Sequence, residues 1–168
     1  KNTLLLSALL SLGTISSFAQ PGPPQNPNKV QVGILFDTPN SMDGLIDQAK
    51  SRISNIVNEV SQLTYNGQNP EIEFALYQYG NDGLSQSSHY IEQVLNLTSD
   101  LDLVSQKLFG LRTNGGSEFC GAVIHQSLAD LNWSTNPTDL KMIYIAGNES
   151  FAQGPIKYKE ECKKATSR

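Results

Sequence analysis

Hydrophobic residues divide the chain into alternating strand-like and helix-like segments. Residues 30–36 are almost continuously apolar, as is typical of a strand covered on both faces of a sheet. Residues 71–79 alternate between apolar and polar side chains, which predicts a second strand. Residues 141–147 form another apolar run that predicts a buried strand, and residues 90–97 predict a shorter one.

The segments between these strands show the period of an amphipathic helix. From residue 41 to residue 63, apolar side chains recur at intervals of three and four, which predicts the longest helix of the chain. A second helix is expected to begin after a capping aspartate, either Asp100 or Asp102. This second helix is predicted over residues 101–111, a third from about residue 118 to residue 131, and a last one after Pro155 through residue 165.

Strands that alternate with helices indicate an α/β fold with a doubly wound, mostly parallel sheet and helices on both faces. Right-handed crossovers place every strand-to-helix loop at one edge of such a sheet, called here the carboxyl rim. Ligands of open α/β sheets bind in the crevice at that edge. Side chains from loops that are distant in the sequence are therefore expected to meet there.

The first 28 residues differ in composition from the rest. Residues 1–19 have a basic start, a short apolar core and small residues at the end, which predicts a secretory signal peptide cleaved between Ala19 and Gln20. The apolar core is shorter than the roughly 20 residues of a membrane-spanning helix. The alternative is a buried helix of the domain. Residues 20–28 form a Pro-rich linker, and the domain is expected to occupy residues 29–168. A secreted or periplasmic location follows from this organisation.

Composition narrows the classes of function. The chain has 168 residues, of which 38% are hydrophobic and 17% are charged, and this fits one globular domain. Its net charge of −4 argues against general binding to nucleic acid or to an anionic membrane. It has two histidines and no G-x-S-x-G, G-x-G-x-x-G or Walker pattern. We therefore expect a protein that is not an enzyme.

Asp37 is the first candidate for ligand chemistry. It directly follows the apolar run of residues 30–36, and Thr38 and Ser41 come shortly after it. Carboxylate and hydroxyl oxygens at the end of a buried strand are hard ligands, which suit Mg²⁺ or a similar cation.

Three segments, in this order, resemble the motifs of the von Willebrand factor type A family. The segment Asp37-Thr-Pro-Asn-Ser-Met resembles the D-x-S-x-S motif that follows the first strand of the family. The Gly-Gly-Ser turn at Gly115 resembles a Gly-Gly-Thr turn, and the strand that leads to Asn148 resembles one that ends in Thr-Asp-Gly. The resemblance extends from Lys29 to the end of the chain. It implies that further strand and helix units would follow residue 168 in a whole domain.

The resemblance implies a metal-ion-dependent adhesion site at the carboxyl rim. Asp37 would contact the ion directly or through water, Ser41 and Ser117 would supply hydroxyl ligands, and Asn148 would stand in the position of an outer carboxylate. The expected cofactor is Mg²⁺, with Mn²⁺ or Ca²⁺ as alternatives. The expected partner is a protein whose acidic group completes the coordination.

Two positions depart from the pattern of the family. Pro39 replaces a serine ligand, and Asn148 replaces an aspartate, so the site loses one oxygen ligand and one negative charge. Affinity for hard cations depends on the number of charged ligands, so weaker binding is expected. Glu118 and Glu149 lie close in sequence to the motif residues and could compensate.

Two other functions stay open from the sequence. In a metal-free structural domain of the cell envelope, Asp37 would cap backbone N–H groups of its loop and Ser41 would cap the following helix. In an exported metal-dependent hydrolase or phosphotransferase, Asp37 would act as nucleophile or metal ligand. Position 39 is Pro, however, where aspartate-nucleophile enzymes carry a second aspartate.

The two cysteines, Cys120 and Cys162, are predicted to form a disulfide, because an even number in an exported protein favours one. The bridge would connect the loop of Ser117 with the loop of Asn148. In the chain-entropy treatment, a closed loop of about 40 residues corresponds to about 4 kcal/mol. Two buried free thiols are the alternative, and two cysteines alone cannot fill a zinc site.

Overall fold

The structure, a computed structural model, describes residues 29–64 and 67–167, and the predicted signal peptide and linker lie outside these residues. Strands and helices alternate along the described chain. The strands are β1 (Lys29–Asp37), β2 (Glu71–Tyr79), β3 (Ile91–Thr98) and β4 (Leu140–Ala146). The helices are α1 (Ile46–Ser61), α2 (Leu101–Gly110), α3 (Cys120–Asp130) and α4 (Tyr158–Thr166). No helix in this part of the chain is long and apolar enough to cross a membrane.

The four strands form one sheet in the order β3-β2-β1-β4. Strand β1 is parallel to both β2 and β4, whereas β3 is antiparallel to β2. Asp37 lies opposite Tyr79, and Phe36 lies opposite Ala146, so β1, β2 and β4 end at the same level. The predicted doubly wound, mostly parallel sheet is therefore confirmed, and three strands converge on the carboxyl rim.

Helices cover both faces of the sheet, as predicted. The side chains of Val32 and Phe36 belong to a buried apolar cluster that includes residues of α1 and α2. Leu35 points to the opposite face and belongs to a second cluster with Tyr77 and residues of α3. Because successive residues of a strand point to opposite faces, burial on both sides explains the nearly continuous apolar run of β1.

The first helix begins later than its sequence pattern predicts. Residues Asn40–Met42 form a short 3₁₀ segment, and α1 starts only at Ile46. Leu45 and Leu63, which fit the helical period, lie outside α1 and are 48% and 46% exposed. The backbone must turn sharply after the end of β1, and this turn uses residues that the periodicity alone assigns to the helix.

Candidate functional site

Asp37 is the last residue of β1 and is only 1% exposed. Its carboxylate lies between two glycines that follow the neighbouring strands. A Cβ atom at Gly80 would lie 2.6 Å from Asp37 Oδ1, and one at Gly147 would lie 2.9 Å from Oδ2. Gly80 also has a φ of +76°, a conformation that favours glycine. The rim therefore accommodates the Asp37 carboxylate only because both flanking residues, Gly80 and Gly147, are glycines.

The surroundings of Asp37 disfavour its charged form. Burial is the largest cause that raises the pKa of Asp37 to about 8, and the negative charge of Glu118 and then that of Glu149 act in the same direction. Backbone N–H groups of Asn148 and Thr38 act in the opposite direction. Asp37 Oδ1 has no hydrogen-bond partner among the described residues. A buried carboxylate with an unpartnered oxygen destabilises the folded protein when it is alone. A bound cation would offset that cost by supplying the missing charge and partner.

Ser41 and Asn148, which are 107 residues apart in sequence, meet at the surface of the rim. Ser41 Oγ donates to Asn148 Oδ1 over 3.3 Å, and Asn148 Nδ2 donates to the carbonyl oxygen of Ser41 over 3.3 Å. The fold thus brings together the loop after β1 and the loop after β4. Ser41 does not cap α1, because Leu45 occupies the N-cap position and no side chain caps that helix. The capping role considered for Ser41 in a metal-free rim is therefore wrong.

Ser117 belongs to the loop between α2 and α3, which is held against the same rim. The backbone N–H of Asn114 donates to the carbonyl oxygen of Thr38 over 3.1 Å. At Gly116 a Cβ atom would lie 2.4 Å from the carbonyl oxygen of Gly80, so this glycine is required for the close approach. Ser117 itself is partly buried. The residues that precede Ser117 are thereby held beside the ends of β1 and β2.

Glu118 is part of the site; the sequence suggested that it could compensate for the lost ligands but did not show where its side chain points. Its side chain is 7% exposed, and its Oε2 atom has no hydrogen-bond partner within the described residues. Burial is the main cause that raises the pKa of Glu118, and the charge of Glu149 adds to it. The available signal was a glutamate directly after Ser117 and two residues before the buried Cys120. That the side chain of Glu118 points into the site became visible only in the folded chain.

The donor set of the rim consists of oxygens. In residues 29–64 and 67–167, no three His, Cys, Asp or Glu side chains form a group that could hold a metal ion. The residues that converge here instead combine carboxylates with hydroxyl and amide oxygens, which are ligands for hard cations such as Mg²⁺, Mn²⁺ or Ca²⁺. The unpartnered Oδ1 of Asp37 fits such a cation.

The cysteines are free thiols in the structure, with Cys120 buried and Cys162 exposed. Burial, and to a lesser extent the charge of Cys162, raises the pKa of Cys120 to about 12. The segment that leads into α4 lies close against α3, because a Cβ atom at Gly121 would lie 1.9 Å from the carbonyl oxygen of Ile156. Because both thiols are free in the structure, the disulfide between Cys120 and Cys162 stays a prediction.

The two histidines interact with other parts of the molecule. His125 Nδ1 lies 3.2 Å from Glu161 Oε2, and the His125 side chain is 52% exposed. His89 is exposed and packs edge-on against Phe119, with 6.2 Å between the ring centres. Tyr90 packs against the same ring at 6.1 Å. An aromatic group thus lies next to Glu118, on the chain segment that leads into α3.

Comparisons with known proteins support the fold and leave the sequence family open. No family model matches the chain, and no curated protein matches it. Among solved structures, the chain is similar to the vWF domain of the type V pili tip protein Mfa5 from Porphyromonas gingivalis. The TM-score is 0.52 at 18% identity over 68% of this chain and 36% of that chain.

Two further structures have the same fold. Proximal thread matrix protein 1 from the mussel byssus, solved with a zinc-occupied MIDAS motif, gives a TM-score of 0.59 at 12% identity, over 83% of this chain and 33% of that one. The pilus adhesin SpaC from Lactobacillus rhamnosus GG gives 0.54 at 16% identity, over 73% and 15%. This chain therefore spans only a part of each of these proteins. Its fold is that of a von Willebrand factor type A-like domain.

Proposed function

We propose that the chain is an exported binding module that engages a protein or cell-surface partner through its carboxyl rim. The observation that carries this proposal is the convergence of Asp37, Ser41 and Asn148 at the rim of a von Willebrand factor type A-like fold. Similarity to a pilus tip protein and to a pilus adhesin supports a role in adhesion.

A divalent cation is the proposed centre of this surface. Asp37, Ser41, Ser117 and Asn148 would supply or position its oxygen ligands, and an acidic group of the partner protein would complete them. The unpartnered Asp37 Oδ1 supports the presence of a cation, as does the zinc-occupied motif of the mussel protein. We propose Mg²⁺, or Mn²⁺ or Ca²⁺, because the donors are oxygens.

The aromatic group beside the rim would add contact area for the partner. Tyr90 and Phe119 are partly buried and His89 is exposed, so their rings offer both apolar surface and polar edges. Both His89 and Tyr90 adopt positive φ angles, 56° and 57°. Such conformations cost energy in residues other than glycine and are common at functional loops.

Export and the disulfide are parts of the same proposal. We propose a secreted or periplasmic protein, with a signal peptide over residues 1–19 that is cleaved between Ala19 and Gln20. In such a compartment Cys120 and Cys162 would be oxidised to a bridge that connects α3 with α4. The exposed Cys162 is accessible to an oxidant.

An enzymatic role for Asp37 has less support. The carboxylate is almost completely buried, and a pKa of about 8 leaves it mostly protonated at neutral pH without a cation. A protonated carboxyl group is a poor nucleophile. A hydrolase or phosphotransferase would be favoured again if the purified protein cleaved a generic phosphoester and Asp37→Asn abolished that activity.

The proposal is tested by thermal unfolding of the exported protein in EDTA, Mg²⁺ or Mn²⁺. A cation that binds only the folded state at a hundredfold excess over its Kd stabilises it by about 2.7 kcal/mol. We expect this increase in the wild type and in Glu59→Ala, an exposed site on α1, and its loss in Asp37→Ala. If no divalent cation stabilises the wild type, the metal-free envelope domain becomes the better description.

Binding to a partner is measured separately. The immobilised protein is exposed to surface proteins of the organism that produces it, with Mg²⁺ or with EDTA. We expect proteins that are retained only with Mg²⁺, and that are lost with Asp37→Ala but kept with Glu59→Ala. Retention that is equal for all three proteins would exclude the rim as the binding surface.

A further inference from the structure

Buried side-chain atoms without hydrogen bonds concentrate at the carboxyl rim. In the described part of the chain these atoms are Asp37 Oδ1, Glu118 Oε2 and the hydroxyl of Tyr77, so two of the three belong to carboxyl groups of the site. Buried polar groups in native proteins are almost always hydrogen-bonded, and exceptions call for an unseen water or ion. Two such exceptions from different segments of one site, the end of β1 and the segment before α3, indicate a shared ligand.

The side chains of both carboxyl groups lie next to the same glycine, Gly80. A Cβ atom at Gly80 would be 2.6 Å from Asp37 Oδ1 and 2.9 Å from Glu118 Cγ. These two atoms are therefore at most 5.5 Å apart, the sum of the two distances. The carboxylate of Glu118 extends from its Cγ atom by a single bond. Both carboxylates can therefore reach one cation above Gly80, which has no side chain to separate them.

Within the described part of the chain, no cationic side chain forms an ion pair with these two carboxyl groups, Asp37 and Glu118. Two unpaired carboxylates in a buried site repel each other and lose hydration, which is a large cost. A divalent cation between them would replace both the hydration and the missing countercharge.

We propose that Glu118 is the second carboxylate ligand of the cation at this rim. It restores the negative charge that is absent at Asn148 and the oxygen ligand that is absent at Pro39. The inference rests on the proposed cation-dependent function and adds a ligand to its site. Two carboxylates with hydroxyl and amide oxygens make a site for a hard divalent cation, with higher affinity than Asp37 alone would give.

Glu149 provides the matched control. Its charge also acts on Asp37 and Glu118, so it lies near the site, but its side chain is exposed and already hydrated. Glu118→Gln and Glu149→Gln each remove one negative charge near the rim. A difference between these variants therefore reports direct coordination and not the general field of the site.

The experiment measures Mn²⁺ binding by electron paramagnetic resonance, together with thermal unfolding in EDTA, for the full chain and its variants. We expect Glu118→Gln to weaken Mn²⁺ binding about tenfold or more, on the scale seen when groups around a metal are removed. Glu149→Gln should weaken it by less than about threefold, because an exposed charge is screened by solvent. In EDTA, Glu118→Gln should raise the unfolding temperature, because a buried unpaired charge is removed.

Two results would overturn the inference in distinguishable ways. If the wild type and Glu118→Gln bind Mn²⁺ with equal affinity, and Asp37→Asn does not bind it, the cation site stands and Glu118 is not its ligand. If the wild type binds no Mn²⁺, the proposed cation-dependent function fails as well. Glu118→Asp keeps the charge but retracts the carboxylate, so it tests the same point should the Gln variant fold poorly. We expect it to bind Mn²⁺ less tightly than the wild type, and unchanged affinity would count against the inference.

Discussion

Replacing Asp37 with asparagine is expected to flatten the dependence of folding stability on pH when no divalent cation is present. Burial and neighbouring charges raise the pKa of Asp37 from 3.8 to about 8. Between these values the folded protein holds a proton that the unfolded chain has released. The contribution of Asp37 to the free energy of unfolding is therefore complete below pH 3.8 and decreases as the pH rises towards 8.

The size of the effect follows from the same two pKa values. Each pH unit in this interval corresponds to about 1.4 kcal/mol, so the wild type should lose about 3–4 kcal/mol from this group between pH 5 and pH 8. Asn has almost the same shape and does not titrate. Relative to the wild type, Asp37→Asn should therefore gain about 3–4 kcal/mol of stability between pH 5 and pH 8. The raised pKa of Glu118 leaves part of the slope in the variant.

Urea unfolding in EDTA at several pH values between 5 and 8 measures this slope, provided that the m-value stays constant. Glu59→Gln, on the exposed face of α1, is the control and should keep the slope of the wild type. Equal slopes for the wild type and Asp37→Asn would refute the reasoning, because they would mean that Asp37 is hydrated or paired with a cationic group in the folded protein.

Two further predictions concern the α3–α4 contact. Gly121→Ala would place a Cβ atom 1.9 Å from the carbonyl oxygen of Ile156, so we expect the free energy of unfolding to fall by about 3 kcal/mol or more. The control is Gly110→Ala on α2, whose Cβ atom meets nothing within 4 Å, so the free energy of unfolding should rise by up to about 1 kcal/mol. Denaturation midpoints compare the two, and equal midpoints would contradict the close approach. In the exported protein, Cys120 and Cys162 should resist alkylation until reduction, which should lower stability by about 4 kcal/mol; rapid alkylation of both thiols before reduction would exclude the bridge.

Most of the fold could be predicted because its signals are local. The apolar run of β1 and the alternation of β2 follow from the period of a strand, and a capping aspartate before α2 was expected at Asp100 or Asp102. Asp100 Oδ1 indeed accepts from the backbone N–H of Leu103 over 3.0 Å. The prediction was less accurate at the start of α1, where the turn after β1 overrides the helical period of Leu45.

The candidate site was predictable only in part. A polar residue at the end of a buried strand must lie at the carboxyl rim, so the position of Asp37 followed from the strand pattern. That Ser41 and Asn148 meet there followed from the resemblance and from the topology, and the structure brings them into contact. The direction of Glu118 could not be predicted, because a residue between a loop and a helix has no period to fix it.

The sequence by itself determined the order of strands and helices, the apolar faces that they bury and the edge of the sheet to which Asp37 belongs. Those properties depend on residues a few positions apart. Only the tertiary structure decided that Gly80 and Gly147 close around Asp37, and that Glu118 is buried beside Gly80 without an ion pair to any described residue. Electrostatic energy depends on distances between groups and on their exclusion from water, and both are set by contacts between segments that are far apart in the chain.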